Sequence, residues 1–88
     1  MLSDNNDIKD LYSLILSLET DGDCADLFHD LCTEKELEQM AQRVKAARLL
    51  LEGKTYNQVM DECEISSATL SRVSRCVQYG NGYKKFLK

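Results

Sequence analysis

Residues 55–72 read T-Y-N-Q-V-M-D-E-C-E-I-S-S-A-T-L-S-R, and this stretch decides the fold. Thr55 and Gln58 stand three apart. That is the capping-box spacing, in which a hydroxyl accepts from the backbone amide ahead and the longer side chain accepts from the cap's own amide. A short helix is therefore expected over 56–63, with Val59, Met60 and Cys63 apolar. Ser66 is a good N-cap for a second helix at 67–78, whose buried stripe would be Leu70, Val73 and Val77. Two short helices joined by a three- or four-residue turn form a helix-turn-helix pattern. At about 100° per residue, Leu70, Val73 and Val77 cluster on one side while Ala68, Ser71, Arg72 and Arg75 fall on the other. Glu64 occupies a turn position where glycine is frequent, because positive φ is often required there.

The outward side has the chemistry of major-groove recognition. Small residues let a backbone come close. Ala68 and Thr69 offer methyl groups to thymine, Ser71 can bond to either base type, and Arg72 or Arg75 can grip guanine or phosphate. Ser66 and Ser67, at the positive end of the helix, suit a phosphate. The competing reading is a helical hairpin with a solvated polar face.

Upstream, Ile8, Leu11, Tyr12, Ile15 and Leu18 recur at three- and four-residue intervals and predict a helix near 6–20. Leu14 and Leu16 widen its apolar stripe to about half the circumference, so it needs cover on two sides, and a second subunit is the expected cover. Asp21-Gly22-Asp23 interrupts the pattern. A short helix at 24–32 follows, carrying Leu27, Phe28 and Leu31. Thr33 and Glu36 repeat the capping-box spacing before a helix at 34–52 with Leu37, Met40, Ala41, Val44, Ala47 and Leu51 as its apolar positions, stopped by Gly53. Gly80-Asn81-Gly82 ends the 67–78 helix, leaving the tail Y-K-K-F-L-K as a last turn or an arm. With no proline and no alternating run, the chain is expected to be all-α, about five to six helices in a single domain over 1–88. Its parts would be a helical dimerisation region near 6–52, the helix-turn-helix near 55–78 and a tail at 80–88.

The 88 residues carry a net charge of −4, which on its face argues against a polyanion partner. Its distribution reverses the argument. Residues 1–40 hold eleven acids against two bases, a net −9, whereas residues 41–88 hold nine bases against four acids, a net +5. A basic half of this kind points to a polyanion. No apolar run reaches the roughly 18 residues of a membrane span, and the acidic start lacks the positive region of a signal peptide, so no membrane partner and a cytoplasmic location are expected. The four cysteines should stay reduced.

Other chemistries lack their parts. Cys24, His29 and Cys32 offer three zinc donors where structural sites want four, and no metal is expected. The cysteines are expected instead to be small buried hydrophobes, a reading that covers Cys63 and Cys76 as well. Asp21-Gly22-Asp23 lacks the remainder of a calcium loop. One histidine beside acids is no catalytic triad, and no glycine-rich loop is placed to hold phosphate, so no catalytic residue is assigned. Tyr12, Phe28, Tyr56, Tyr79, Tyr83 and Phe86 suit a core or an interface better than a base-stacking platform.

The segments L-C-T-E-K-E-L-E-Q-M-A-Q-R-V-K-A-A-R-L-L-L-E-G and S-S-A-T-L-S-R, within Leu31 to Val77, resemble the tryptophan-repressor superfamily. With G-N-G-Y near the end, the chain is most similar to its YerC/YecD branch. The resemblance implies an intertwined homodimer with two helix-turn-helix heads on successive major grooves of a double-stranded operator, and a regulator that is not an enzyme. It also implies a ligand site, with Arg43 (in Q-R-V), Arg72 (in L-S-R) and Thr33 matching residues around the family's amino-acid pocket. Val73 replaces a glycine there and Cys76 a serine that contacts the ligand's amino group. A valine would overfill the indole slot and a thiol is a poor polar partner. The implied effector is a small molecule other than tryptophan, or none, and no other cofactor is expected. A dimeric protein-interaction module that kept the fold is the alternative function.

Overall fold

The computed structural model describes residues 5–87. Among them six helices and no strand are found: α1 (Asn6–Leu16), α2 (Asp21–Leu31), α3 (Glu34–Leu51), α4 (Tyr56–Glu62), α5 (Ser67–Tyr79) and α6 (Gly82–Phe86). None is long and apolar enough to cross a membrane. The chain divides after Thr33 into two compact units.

The first unit holds α1 and α2. Asn5 caps α1 by accepting the Asp7 amide at 2.8 Å. The helix stops at Leu16, four residues before the expected end. Ser17 donates its hydroxyl to the Leu14 carbonyl at 2.6 Å, and the Ser17 and Leu18 amides bond back three residues to Leu14 and Ile15. A serine that satisfies a terminal carbonyl with its own side chain competes with continuation of the helix. In turn, α2 begins at Asp21 and not at 24. Thr20 accepts from the Asp23 amide at 3.0 Å, and the Asp23 carboxylate accepts from the Glu19 amide at 3.0 Å. Asp21-Gly22-Asp23 is thus the first turn of a helix, where acids complement the positive end of the backbone dipole. Neither α1 nor α2 contains a buried residue, and Tyr12 and Leu16 are 60% and 84% exposed.

The second unit is built on α3. Its end follows from Gly53, whose φ of +94° is the left-handed conformation that an L side chain resists. The Gly53 amide bonds to Leu50 and the Lys54 amide to Leu49, the paired pattern of a Schellman termination. Next, α4 opens on the expected capping box. Thr55 Oγ1 accepts from the Gln58 amide at 3.2 Å and Gln58 Oε1 accepts from the Thr55 amide at 2.9 Å. At its other end, Lys45 Nζ reaches across from α3 to donate to the Glu62 carbonyl at 2.9 Å. The turn into α5 contains no positive φ, since no non-glycine described residue has one. Glu64 therefore fits without the glycine that the pattern often demands.

Ala46, Ala47, Val59, Cys63, Leu70 and Val73 form the buried core, with Leu49, Leu50, Ile65, Val77, Tyr83 and Leu87 packed around it. Fully burying a residue such as Val59 or Leu70 is worth roughly 1.5–3 kcal/mol. Two consecutive alanines on α3 present little side-chain bulk to that cluster. The buried side of α3 is not the expected stripe: Ala47 is in the core, but Val44 and Leu51 are exposed, and Ala46, Leu49 and Leu50 turn inward instead. The run Leu49-Leu50-Leu51 puts apolar side chains on more than one side of the helix, so periodicity leaves the choice to tertiary packing. Finally, α6 packs on both α3 and α5. The tail is a docked helix and not an arm.

Candidate nucleic-acid interface

The helix-turn-helix is α4, the Cys63–Ser66 turn and α5. Leu70 and Val73, 0% and 2% exposed, fix one side of α5 in the core. Ser66 caps the helix: its Oγ accepts from the Thr69 amide at 3.2 Å and donates to Thr69 Oγ1 at 3.0 Å. The opposite side is free of the core, as the helical angle requires. Ser66, Ser67, Ala68, Ser71, Arg72 and Arg75 are all exposed. Of these, Ala68, Ser71, Arg72 and Arg75 line one surface hollow of about 330 Å³. Two small side chains beside two guanidiniums leave room for a base edge and supply charge that attracts phosphate. The sequence of α5 contains both arginines and no acid.

Thr69 stands apart from that group. It is half-buried, its hydroxyl is engaged by Ser66, and it faces hollows shared with α3.

Arg43 and Arg72 are brought together. They line a single cavity of about 390 Å³ with Thr69, Val73, Cys76 and Tyr83. Val73 belongs to the core as well as to the cavity wall, so its side chain occupies space that a glycine would leave open. Cys76 is exposed, as is Cys24, and neither is the buried small hydrophobe expected of it; Cys63 alone of the four is buried. Thr33, also exposed, ends the first unit and is described with it. A second hollow of about 300 Å³ lies on the other side of Arg43, between Gln39 and Gln42 of α3 and Glu64, Ile65, Ser66 and Thr69. Gln42 Oε1 is buried there without a hydrogen-bond partner among the described residues.

Tyr83 and Thr69 are the members of the cavity that the sequence does not mark for it, Thr69 being expected on the DNA-facing side. The available signal was the apolar spacing of Tyr83, Phe86 and Leu87 after two glycines, which marks a short amphipathic turn but not its docking place. Four of the other aromatics stay outside the core: Tyr12, Tyr56, Tyr79 and Phe86 are 60%, 43%, 82% and 76% exposed. All four cysteines are free thiols. Among the described residues, no group of three or more histidine, cysteine or acidic side chains is placed to hold a metal ion.

A family model described as Trp repressor protein matches residues 6–88. The chain is 45% identical over 75 residues to the uncharacterized protein YerC of Bacillus subtilis strain 168, covering 85% of this chain and 72% of that protein. A solved structure of a candidate Trp repressor from Staphylococcus aureus superimposes with a TM-score of 0.90 at 37% identity, over 94% of this chain and 84% of the other. That of a TrpR-like protein from Eubacterium eligens ATCC 27750 gives 0.89 at 36% identity, over 93% and 86%.

Proposed function

This chain belongs to the Trp repressor family, and on that premise we propose that it is a homodimeric, cytoplasmic regulator of transcription that reads a palindromic operator through α5. The family is regulatory and DNA-binding, and it is not an enzyme family. The observation that carries the reading is the hollow formed by Ala68, Ser71, Arg72 and Arg75 on the exposed side of a helix whose other side is locked in the core. Arg72 and Arg75 supply phosphate or guanine contacts, Ser66 and Ser67 bind backbone phosphate at the helix start, and Ala68 and Ser71 allow close approach, whereas Thr69, expected among them, is half-buried and lines the hollows shared with α3. The second copy covers the apolar sides of α1, whose exposed Tyr12, Leu14, Ile15 and Leu16 have no place on a stable monomer surface. Two α5 helices related by a twofold axis would then meet half-sites about one helical turn apart.

Selection from random duplexes with the purified protein, followed by mobility shift, tests this reading. Enrichment of a two-half-site sequence is expected; enrichment of none favours a protein-interaction module that keeps the fold. An effector is a second reading, favoured by the cavity between Arg43 and Arg72. Two guanidiniums beside Val73 and Tyr83 suit a small anion with an apolar body, and Val73 with Cys76 weigh against tryptophan. A thermal-shift screen of amino acids and nucleotides tests it, silence throughout favouring constitutive DNA binding.

A further inference from the structure

We infer that α6 is a built-in strap that sets the attitude of α5, with Tyr83 as the positioning residue. The inference rests on the regulator reading for its DNA readout, and on geometry alone for its structural content. Alongside the Leu70 and Val73 contacts, a cavity of about 390 Å³ remains between Arg43 on α3 and Thr69, Arg72, Val73 and Cys76 on α5. Tyr83 forms part of that cavity's wall and also packs on the core cluster, as does Leu87. Because α6 packs on both α3 and α5, it is placed to tie the two helices together at the cavity that Tyr83 lines.

Three local features hold the strap in place. The Gly80 amide donates to the Cys76 carbonyl at 2.8 Å, and a Cβ on Gly80 would come within 2.7 Å of that oxygen. The chain can therefore leave α5 at this tight angle only with glycine there. Lys84 Nζ then donates back to the Gln78 carbonyl at 2.8 Å, joining α6 to the last turn of α5 by a cation on a negative helix end. Leu87 supplies the second apolar anchor. This is more than a nine-residue tail needs merely to avoid fraying.

If α5 holds its DNA-competent attitude only part of the time, apparent affinity falls by that fraction. A tenfold loss of occupancy in each head lowers affinity tenfold if one head limits binding, and more if both do. Tyr83 carries no cation, so its loss leaves the salt dependence intact, unlike the loss of a phosphate contact.

The test compares wild type, Tyr83→Ala and Tyr83→Phe in the full-length protein. Amide hydrogen exchange is followed along α4 and α5 without DNA, and binding is titrated against the duplex recovered by selection. Tyr83→Ala should raise exchange across residues 74–79 tenfold or more with α4 unchanged, and weaken duplex binding tenfold or more at an unaltered salt slope. Tyr83→Phe, which keeps the ring, should match wild type. Unchanged exchange in Tyr83→Ala overturns the strap whatever the DNA result, as does equal acceleration in α4 and α5, which marks general destabilisation. Wild-type protein that binds no duplex overturns the regulator reading, and the exchange measurement then decides the strap alone.

Discussion

Replacing Arg72 and Arg75 together by alanine removes both cations from α5, and the consequence can be worked through before it is measured. Both side chains are exposed and outside the core, so folding stability should move by no more than about 0.5 kcal/mol. DNA affinity should change in a particular way. A dimer presents four such guanidiniums, and if each neutralises one phosphate, the slope of log K against log salt becomes shallower by about 3.6, at 0.9 per contact. Between 50 and 200 mM salt, wild type should then lose about 150-fold more affinity than the double variant does over the same interval. Fluorescence anisotropy of a labelled duplex, titrated at four or five salt concentrations with circular dichroism as the folding control, reads this directly. Two parallel lines would refute the reasoning, because they would mean that neither arginine lies near a phosphate in the complex. A change of half the expected size would assign one arginine to phosphate and the other to a base edge, and single variants would say which.

Three further outcomes concern the scaffold. Leu70→Ala, at a position with no solvent exposure, should cost about 2–5 kcal/mol in urea denaturation; a loss below about 1 kcal/mol would mean that α5 is not held as described. Gly53→Ala meets open space, so only its φ of +94° opposes the substitution, and a cost of about 1–2 kcal/mol is expected, readable as a lower Tm. Thr55→Ala removes the acceptor for the Gln58 amide and should destabilise by about 1 kcal/mol, whereas Thr55→Ser should retain most of the stability.

The helix starts were legible where capping is local. Thr55 with Gln58, and Ser66 alone, place α4 and α5 to the residue because the side chain and the amide it serves are at most three residues apart. The same chemistry was present at Thr20 and Asp23 but lay hidden behind Asp21-Gly22-Asp23, which reads as a break when glycine is weighed and as a first turn when the acids are. Glu64 illustrates the converse. A glycine preference drawn from other turns of this kind does not bind a turn whose backbone stays at negative φ.

For this protein the sequence by itself determined the helical class, the starts of α4 and α5, and the exposed set Ala68, Ser71, Arg72 and Arg75 on α5. These follow from short-range geometry: caps act over three residues, and one stripe of Leu70, Val73 and Val77 dictates what must lie opposite. Tertiary structure alone decided which side of α3 is covered, Ala46, Leu49 and Leu50 in place of Val44 and Leu51, and where the last helix goes. A helix with apolar residues on several sides has several burials of similar value, and the partner that makes one of them real lies far along the chain. Tyr83 and Arg43, forty residues apart, line one cavity, a separation over which no local rule of the backbone operates.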